Sequence, residues 1–266
     1  MVRPDNSHTF VLGDDTDLIT GLEGRFRVTH SWPVAIFPDT QHSIIAALQS
    51  DDATMRERAL DLVMRVYRAP VIAVIRARWN LDLTDAEDLA HDFFLKALTN
   101  DWLARYDPAR ARFRTFLRQC LQAFASTAHQ AASRQKRGGH LTAVPLEDVT
   151  NIAHDDSAQD ALFEQEWVRS VFAAALEAFR AECVTSQRLS SFEVFSRIDV
   201  EESPDGVRPT YAHVAAQLSL PVTQVTNYIN WSRRRFRHHV LETLRALTVG
   251  DAEFREEART LLGTAL

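Results

Sequence analysis

Three features of the sequence point to an all-α fold. Apolar residues recur at three- and four-residue spacing through most of the chain after residue 38. No alternating apolar–polar run is long enough for a sheet, and helix caps and breakers punctuate the periodic segments. A length of 266 residues fits about two domains of roughly 150 residues. The expected arrangement is two helical domains, 37–139 and 161–250, joined by an acidic linker over 140–160, with a helix-turn-helix in the second domain. A partly ordered extension, 1–36, precedes them and a helical tail, 251–266, follows.

The elements follow in chain order. Gly13, Gly21, Gly24 and Pro33 interrupt the first 36 residues, where no period is sustained. Residues 43–48 and 55–67 carry apolar side chains at helical spacing, among them Ala59, Leu60, Val63, Met64 and Tyr67. Pro70 opens a further helical pattern over 71–79. Thr84 followed by Glu87 reads as a capping box for a helix from Asp85 to about Leu98. Leu89, Phe93 and Ala97 form one stripe of its buried face, and Ala86, Ala90, Phe94 and Leu98 form the next. Asp107-Pro108 marks a turn before a long helix over about 111–135, which Gly138-Gly139 ends. Helical pattern returns over 161–183 and 190–198, and 201–209 is a turn-rich loop. Thr210 caps 211–218, Ser219-Leu220-Pro221 turns the chain, Val222 opens the next helix, and 251–262 forms the last.

Charge is segregated along the chain. Its net value is −6, yet residues 105–139 hold eight basic side chains against the single acid Asp107. Residues 140–170 hold seven acids against Arg169, and residues 227–245 hold five arginines against Glu242. Two basic segments around an acidic link suit two phosphate-facing surfaces. No run approaches the ~18 apolar residues of a membrane span, and residues 1–17 lack the apolar core of a secretory signal. Cys120 and Cys183, 63 positions apart, make neither a disulfide framework nor a metal cluster, so buried thiols in a reducing cytoplasm are expected.

The clearest local geometry is the pattern 211–218, a three-residue turn, then a helix from Val222. This is helix-turn-helix spacing, with Ala215 at the close approach and Val214, Leu218, Val225 and Ile229 as a shared core. In such a unit the second helix meets base edges, which puts Thr223, Gln224, Thr226, Asn227 and Asn230 at or beside the bases. Arg233, Arg234, Arg235 and Arg237 follow as phosphate clamps. In the first basic segment Arg112, Arg114, Arg118, Arg134, Lys136 and Arg137 interleave with Phe113, Phe116 and Phe124, which are expected to face the core. Trp102 and Tyr106, in the loop before, are the better candidates for exposed aromatic contacts with unstacked bases.

Asp85, Glu87, Asp88 and Asp92 line one helix edge beside His91. Their position near a helix N-terminus is explained by the dipole, so no metal site is expected. The phosphate-loop, dinucleotide, zinc-protease and nucleophile-elbow motifs are absent, and neither enzyme activity nor a cofactor or small-molecule substrate is expected.

With those residues in view, the chain resembles the sigma-70-type RNA polymerase sigma factors of the extracytoplasmic-function class, in the subgroup with a longer linker and C-terminal tail. The resemblance runs through FPDT (37–40), SII (43–45), YRAPV (67–71), DAEDLAHDFF (85–94), DWL (101–103), DPARARFRTFL (107–117) and RQKRGG (134–139). It resumes over 163–167, 211–218 and 233–237. It implies a non-enzymatic promoter-specificity subunit whose partners are bacterial core RNA polymerase and promoter DNA, with an anti-sigma or other regulatory protein as a further partner. By the same resemblance, Asp85, Asp88, His91, Asp92 and Lys96 would contact the polymerase clamp. Trp102, Tyr106, Arg112, Arg114, Arg118, His129, Arg134, Lys136 and Arg137 would bind and open the −10 element, and the helix-turn-helix would read the −35 element. The linker would thread toward the RNA exit path.

Two further readings compete with this one. A stand-alone helix-turn-helix regulator would bind its operator without polymerase and present two half-sites. A helical interaction protein would tolerate neutralisation of the second-domain arginines.

Overall fold

Pro70 does not break the chain where the sequence suggests a break. In the computed structural model, which describes residues 45–100, 102–135, 157–201 and 207–263, one helix α1 runs unbroken over Ala53–Trp79 with Pro70 inside it. The proline lacks the N–H that would bond to the carbonyl of Val66, a loss worth about 3 kcal/mol in a helix interior. Burial of Val63, Val66, Tyr67, Val71, Val74 and Ile75, with Pro70 itself among them, outweighs that loss. Asp52 caps α1 by accepting from the amides of Thr54 and Met55, and Asn80 closes it in a left-handed conformation at φ +50°.

Every regular element among the described residues is helical, with eight α-helices and no strand. A 3₁₀ turn, Ile45–Gln49, precedes α1. Helix α2 spans Leu83–Thr99, α3 Phe113–Gln135, α4 Ser157–Thr185 and α5 Leu189–Phe195. Helix α6 spans Tyr211–Leu218, α7 Val222–Leu247 and α8 Asp251–Leu262. The last three match the sequence expectation at both ends where it set them. The expected helix 190–198 instead ends as α5 and continues into a π-helical turn, Ser196–Val200.

Helix α2 starts earlier than its sequence suggests. Asp82, not Thr84, is the cap, its carboxylate accepting from the Asp85 amide at 2.9 Å. Glu87 closes no capping box and instead pairs with Arg68 at 3.1 Å. Ala86, Ala90, Phe93, Phe94 and Ala97 are buried, whereas Leu98, expected in that stripe, is exposed.

The buried side chains form one continuous cluster. Helix α4, 29 residues long, packs along α1 and also against α7. Its Phe163 stacks on Tyr67, and its Phe179 meets Phe195 edge-on at 5.4 Å and lies 6.3 Å from Phe236. Because α4 begins at Ser157, residues 157–160 of the expected linker are helical, while 140–156 and 1–36 lie outside the described residues. Burial pushes the Cys120 thiol up to about 12 and the Cys183 thiol up to about 11, which keeps both protonated and inert. No helix among the described residues is long and apolar enough to cross a membrane.

Candidate nucleic-acid interface

The turn between α6 and α7 is set by three local devices. Thr210 accepts from the His213 amide at 3.2 Å and starts α6. Ser219 ends it in the left-handed region at φ +54°, and the Leu220 amide returns to the Ala215 carbonyl at 2.9 Å. Pro221 then precedes α7, its carbonyl accepting from the amides of Gln224 and Val225. Val214, Ala215, Val225 and Ile229 are buried between the two helices, and Leu218 is half-buried beside them.

The opposite side of α7 is polar. Thr223, Asn227, Asn230 and Arg234 are exposed at spacings of four, three and four, which places them on one stripe. The other candidates in this helix are engaged. Half-buried Gln224 donates to the Tyr228 hydroxyl at 2.5 Å, and Thr226 donates to the Val222 carbonyl at 3.0 Å. The arginine run does not face outward as a set. Arg233 grips Asp199 with two hydrogen bonds of 2.7 and 2.9 Å and also reaches the Tyr211 hydroxyl. Asp199, 2% exposed in the π-helical turn, takes Arg208 as well at 2.7 Å. The hydrogen bonds to Asp199 hold the Arg233 guanidinium above its ordinary pKa.

Arg235 and His239 both pair with Glu182 on α4, at 2.8 and 2.6 Å. Burial pushes the Glu182 carboxyl up, but hydrogen bonds from Arg235 and His239 outweigh it and leave the pKa lowered. Arg237 is half-buried, and that burial lowers its pKa. Arg234 alone of the four expected clamps is exposed.

The basic start of α3 is likewise occupied. Arg112 pairs with Glu256 and Glu257, each at 2.6 Å. Arg114 pairs with Glu257 at 2.6 Å and Glu164 at 3.1 Å, with its guanidinium 4.5 Å over the Trp167 ring. Arg118 reaches Asp160 at 3.1 Å and Glu164 at 3.8 Å. Burial pushes the Glu164 carboxyl up against the pull of Arg114 and Arg118, and burial raises Glu253 beside them too. Phe113 and Phe124 face the core as expected, and Phe116 is half-buried.

Tyr106, expected as an exposed aromatic, is 5% exposed. Its ring meets Phe113 edge-on at 5.1 Å, because the short 3₁₀ turn Leu103–Arg105 folds it inward. Trp102 is half-buried, 6.4 Å from Phe93. His129 and Arg134 lie on α3 with side chains outside the described set, and Lys136 and Arg137 lie outside the described residues.

A third surface is the outer face of α2. Asp85, Asp88, His91, Asp92 and Lys96 are all exposed there, beside Leu95, whose side chain is half open to solvent at 50%. The Lys96 ammonium lies 5.1 Å over the Phe124 ring. Among the described residues no group of histidine, cysteine and carboxylate side chains could hold a metal ion.

Sequence reasoning missed Glu164, Asp199, Glu256 and Glu257 as partners of the arginines. A signal existed for Glu257, since it falls between Phe254, Ala258 and Leu261 on the apolar side of its helix. No protein-family model, curated protein or solved structure matches this chain, so the functional reading rests on the residues and surfaces themselves.

Proposed function

We propose that the chain is a sigma-70-type promoter-specificity subunit, with residues 37–139 and 161–250 serving as its two working parts. What carries this reading is the stripe Thr223, Asn227, Asn230 and Arg234. It lies on the outer side of a helix whose inner side packs, across a three-residue turn, on a shorter helix. As a helix-turn-helix, α6 and α7 would lay that stripe in the major groove of the −35 element. Asn227 and Asn230 can each bond an adenine edge bidentately, and Arg234 would hold phosphate. The exposed acidic face of α2, with exposed Leu95 beside it, supports polymerase docking: a partner surface with basic and apolar groups would complement it.

On this reading the two parts are surfaces rather than separate cores, since α4 packs on both α1 and α7. The work done is binding, not bond making. Opening the −10 element exchanges base stacking of about 1.4 kcal/mol per step for stacking on protein of roughly 1–3 kcal/mol per base.

The test is transcription in vitro with purified core polymerase and a library of genomic promoter fragments. Starts that depend on this protein and share upstream elements near −10 and −35 are the expected result. A protein that neither starts transcription nor retains core polymerase on an affinity column would overturn the reading, and an operator footprint without polymerase would favour a stand-alone regulator.

A further inference from the structure

The arginines at the start of α3 form an anion site that the chain itself fills. Every carboxylate meeting Arg112, Arg114 and Arg118 comes from a distant segment: Asp160 and Glu164 from α4, Glu256 and Glu257 from α8. Glu257 is the keystone. It is 2% exposed, and its two oxygens are divided between two guanidiniums, one to Arg112 and one to Arg114, each at 2.6 Å. A backbone phosphate, with two free oxygens, makes the same bridge between paired arginines.

We propose that this cluster is an autoinhibitory latch, in which the carboxylates of α4 and α8 occupy a site for the phosphodiester backbone of a nucleic acid. The inference rests on the nucleic-acid reading above and needs no polymerase.

Two properties make the latch releasable. First, the pairing is close to balanced. Buried ion pairs gain little over their desolvation, and burial holds Glu164 and Glu253 above the ordinary carboxylate range in this cluster. A phosphodiester carries one charge, as a carboxylate does, but a nucleic-acid strand brings several at once and can therefore replace them. Second, the element carrying Glu256 and Glu257 is short and is entered through a permissive joint. Helix α8 has 12 residues, too few to be stable alone. It is entered through Gly250 at φ +93°, a conformation that glycine adopts freely. Arg245 of α7 holds its first turn, pairing with Asp251 at 2.6 Å and lying 4.2 Å over Phe254. Release of Glu256 and Glu257 removes the ion pairs that tie α8 to the arginines at the start of α3, while Arg245 still holds its first turn to α7.

The experiment uses the full chain and a fluorescein-labelled single-stranded DNA of about 20 nucleotides, titrated across a salt series without polymerase. Glu256→Gln with Glu257→Gln is expected to bind about tenfold tighter than the unaltered chain at low salt, with a salt slope steeper by about 0.7 for Arg112, which loses both its acids while Arg114 keeps Glu164. Adding Arg112→Gln and Arg114→Gln should abolish both gains. Unchanged affinity and slope in a variant that melts cooperatively would overturn the latch.

A measurement on the unaltered chain covers the case in which the variant fails to fold. Heparin should accelerate amide hydrogen exchange over 251–262, and exchange that heparin leaves unchanged would overturn the proposal equally. Neither outcome depends on whether the protein directs transcription.

Discussion

The two arginine clusters use the same chemistry and reach opposite balances. In the middle of α7, Asp199 and Glu182 hold Arg233 and Arg235, and hydrogen bonding wins over burial: Glu182 lies below its ordinary range and Arg233 above. At the start of α3, burial wins, and Glu164 lies above its ordinary range although two arginines face it. The partners also differ in reach. Arg233 and Asp199 are 34 positions apart, whereas Arg112 and Glu257 are 145 apart and meet through the last helix. One cluster acts as a clasp that fixes the α6–α7 unit to its base. The other joins the start of α3 to the last helix, and on the latch proposal a nucleic-acid backbone can enter it. An ion pair seen in a structure is therefore not by itself a statement about stability.

The sharpest way to break that contrast is to remove one keystone acid from each cluster. Asp199→Ala strands Arg233, whose other side-chain partner is the Tyr211 hydroxyl, and Arg208; it should cost about 3 kcal/mol in denaturant unfolding. Glu257→Ala should cost less, about 1–2 kcal/mol, because Arg112 keeps Glu256 and Arg114 keeps Glu164. Equal losses would mean that both clusters are structural clasps.

A pH series separates them by sign. Glu182, lowered in the folded state, contributes stability above the ordinary glutamate range that is lost as pH falls through its folded value. Glu164, raised, contributes stability in acid that is lost as pH rises through its folded value. Melting temperature against pH should accordingly lose part of its acid-side fall in Glu182→Gln. In Glu164→Gln it should instead lose part of its decline toward neutrality. Identical profiles for the two variants would erase the distinction.

The smallest effect on stability belongs to exposed Arg234. Its change to alanine should move stability by no more than about 0.5 kcal/mol. It should nonetheless reduce the salt slope of DNA binding by about 1, uniformly across sequences.

The helices were largely legible in the sequence because their apolar spacing and caps are local. Thr210, the turn 219–221 and the bounds of α8 needed nothing beyond neighbouring residues. Pro70 was misleading because its helix is held by burial against a segment about a hundred residues later, which no local pattern displays. The same limit governs the surfaces. A run of arginines reads alike whether it meets phosphate or carboxylate, and only the approach of Asp199, Glu182 and Glu257 shows which of them are occupied. The exposed stripe on α7 and the acidic face of α2 were legible because both follow from helical period alone.

The π-helical turn Ser196–Val200 makes the length of this stretch critical. A π turn holds one residue more than an α turn, and here Ile198, Asp199 and Val200 are buried in succession. Deleting one residue from 196–200 would restore α-helical phase and rotate the following backbone by about 100°. Asp199 would then leave Arg233 and Arg208, and the polar stripe of α7 would lose its fixed bearing. This stretch should tolerate many substitutions at Ser196 or Arg197 while admitting no change in residue count.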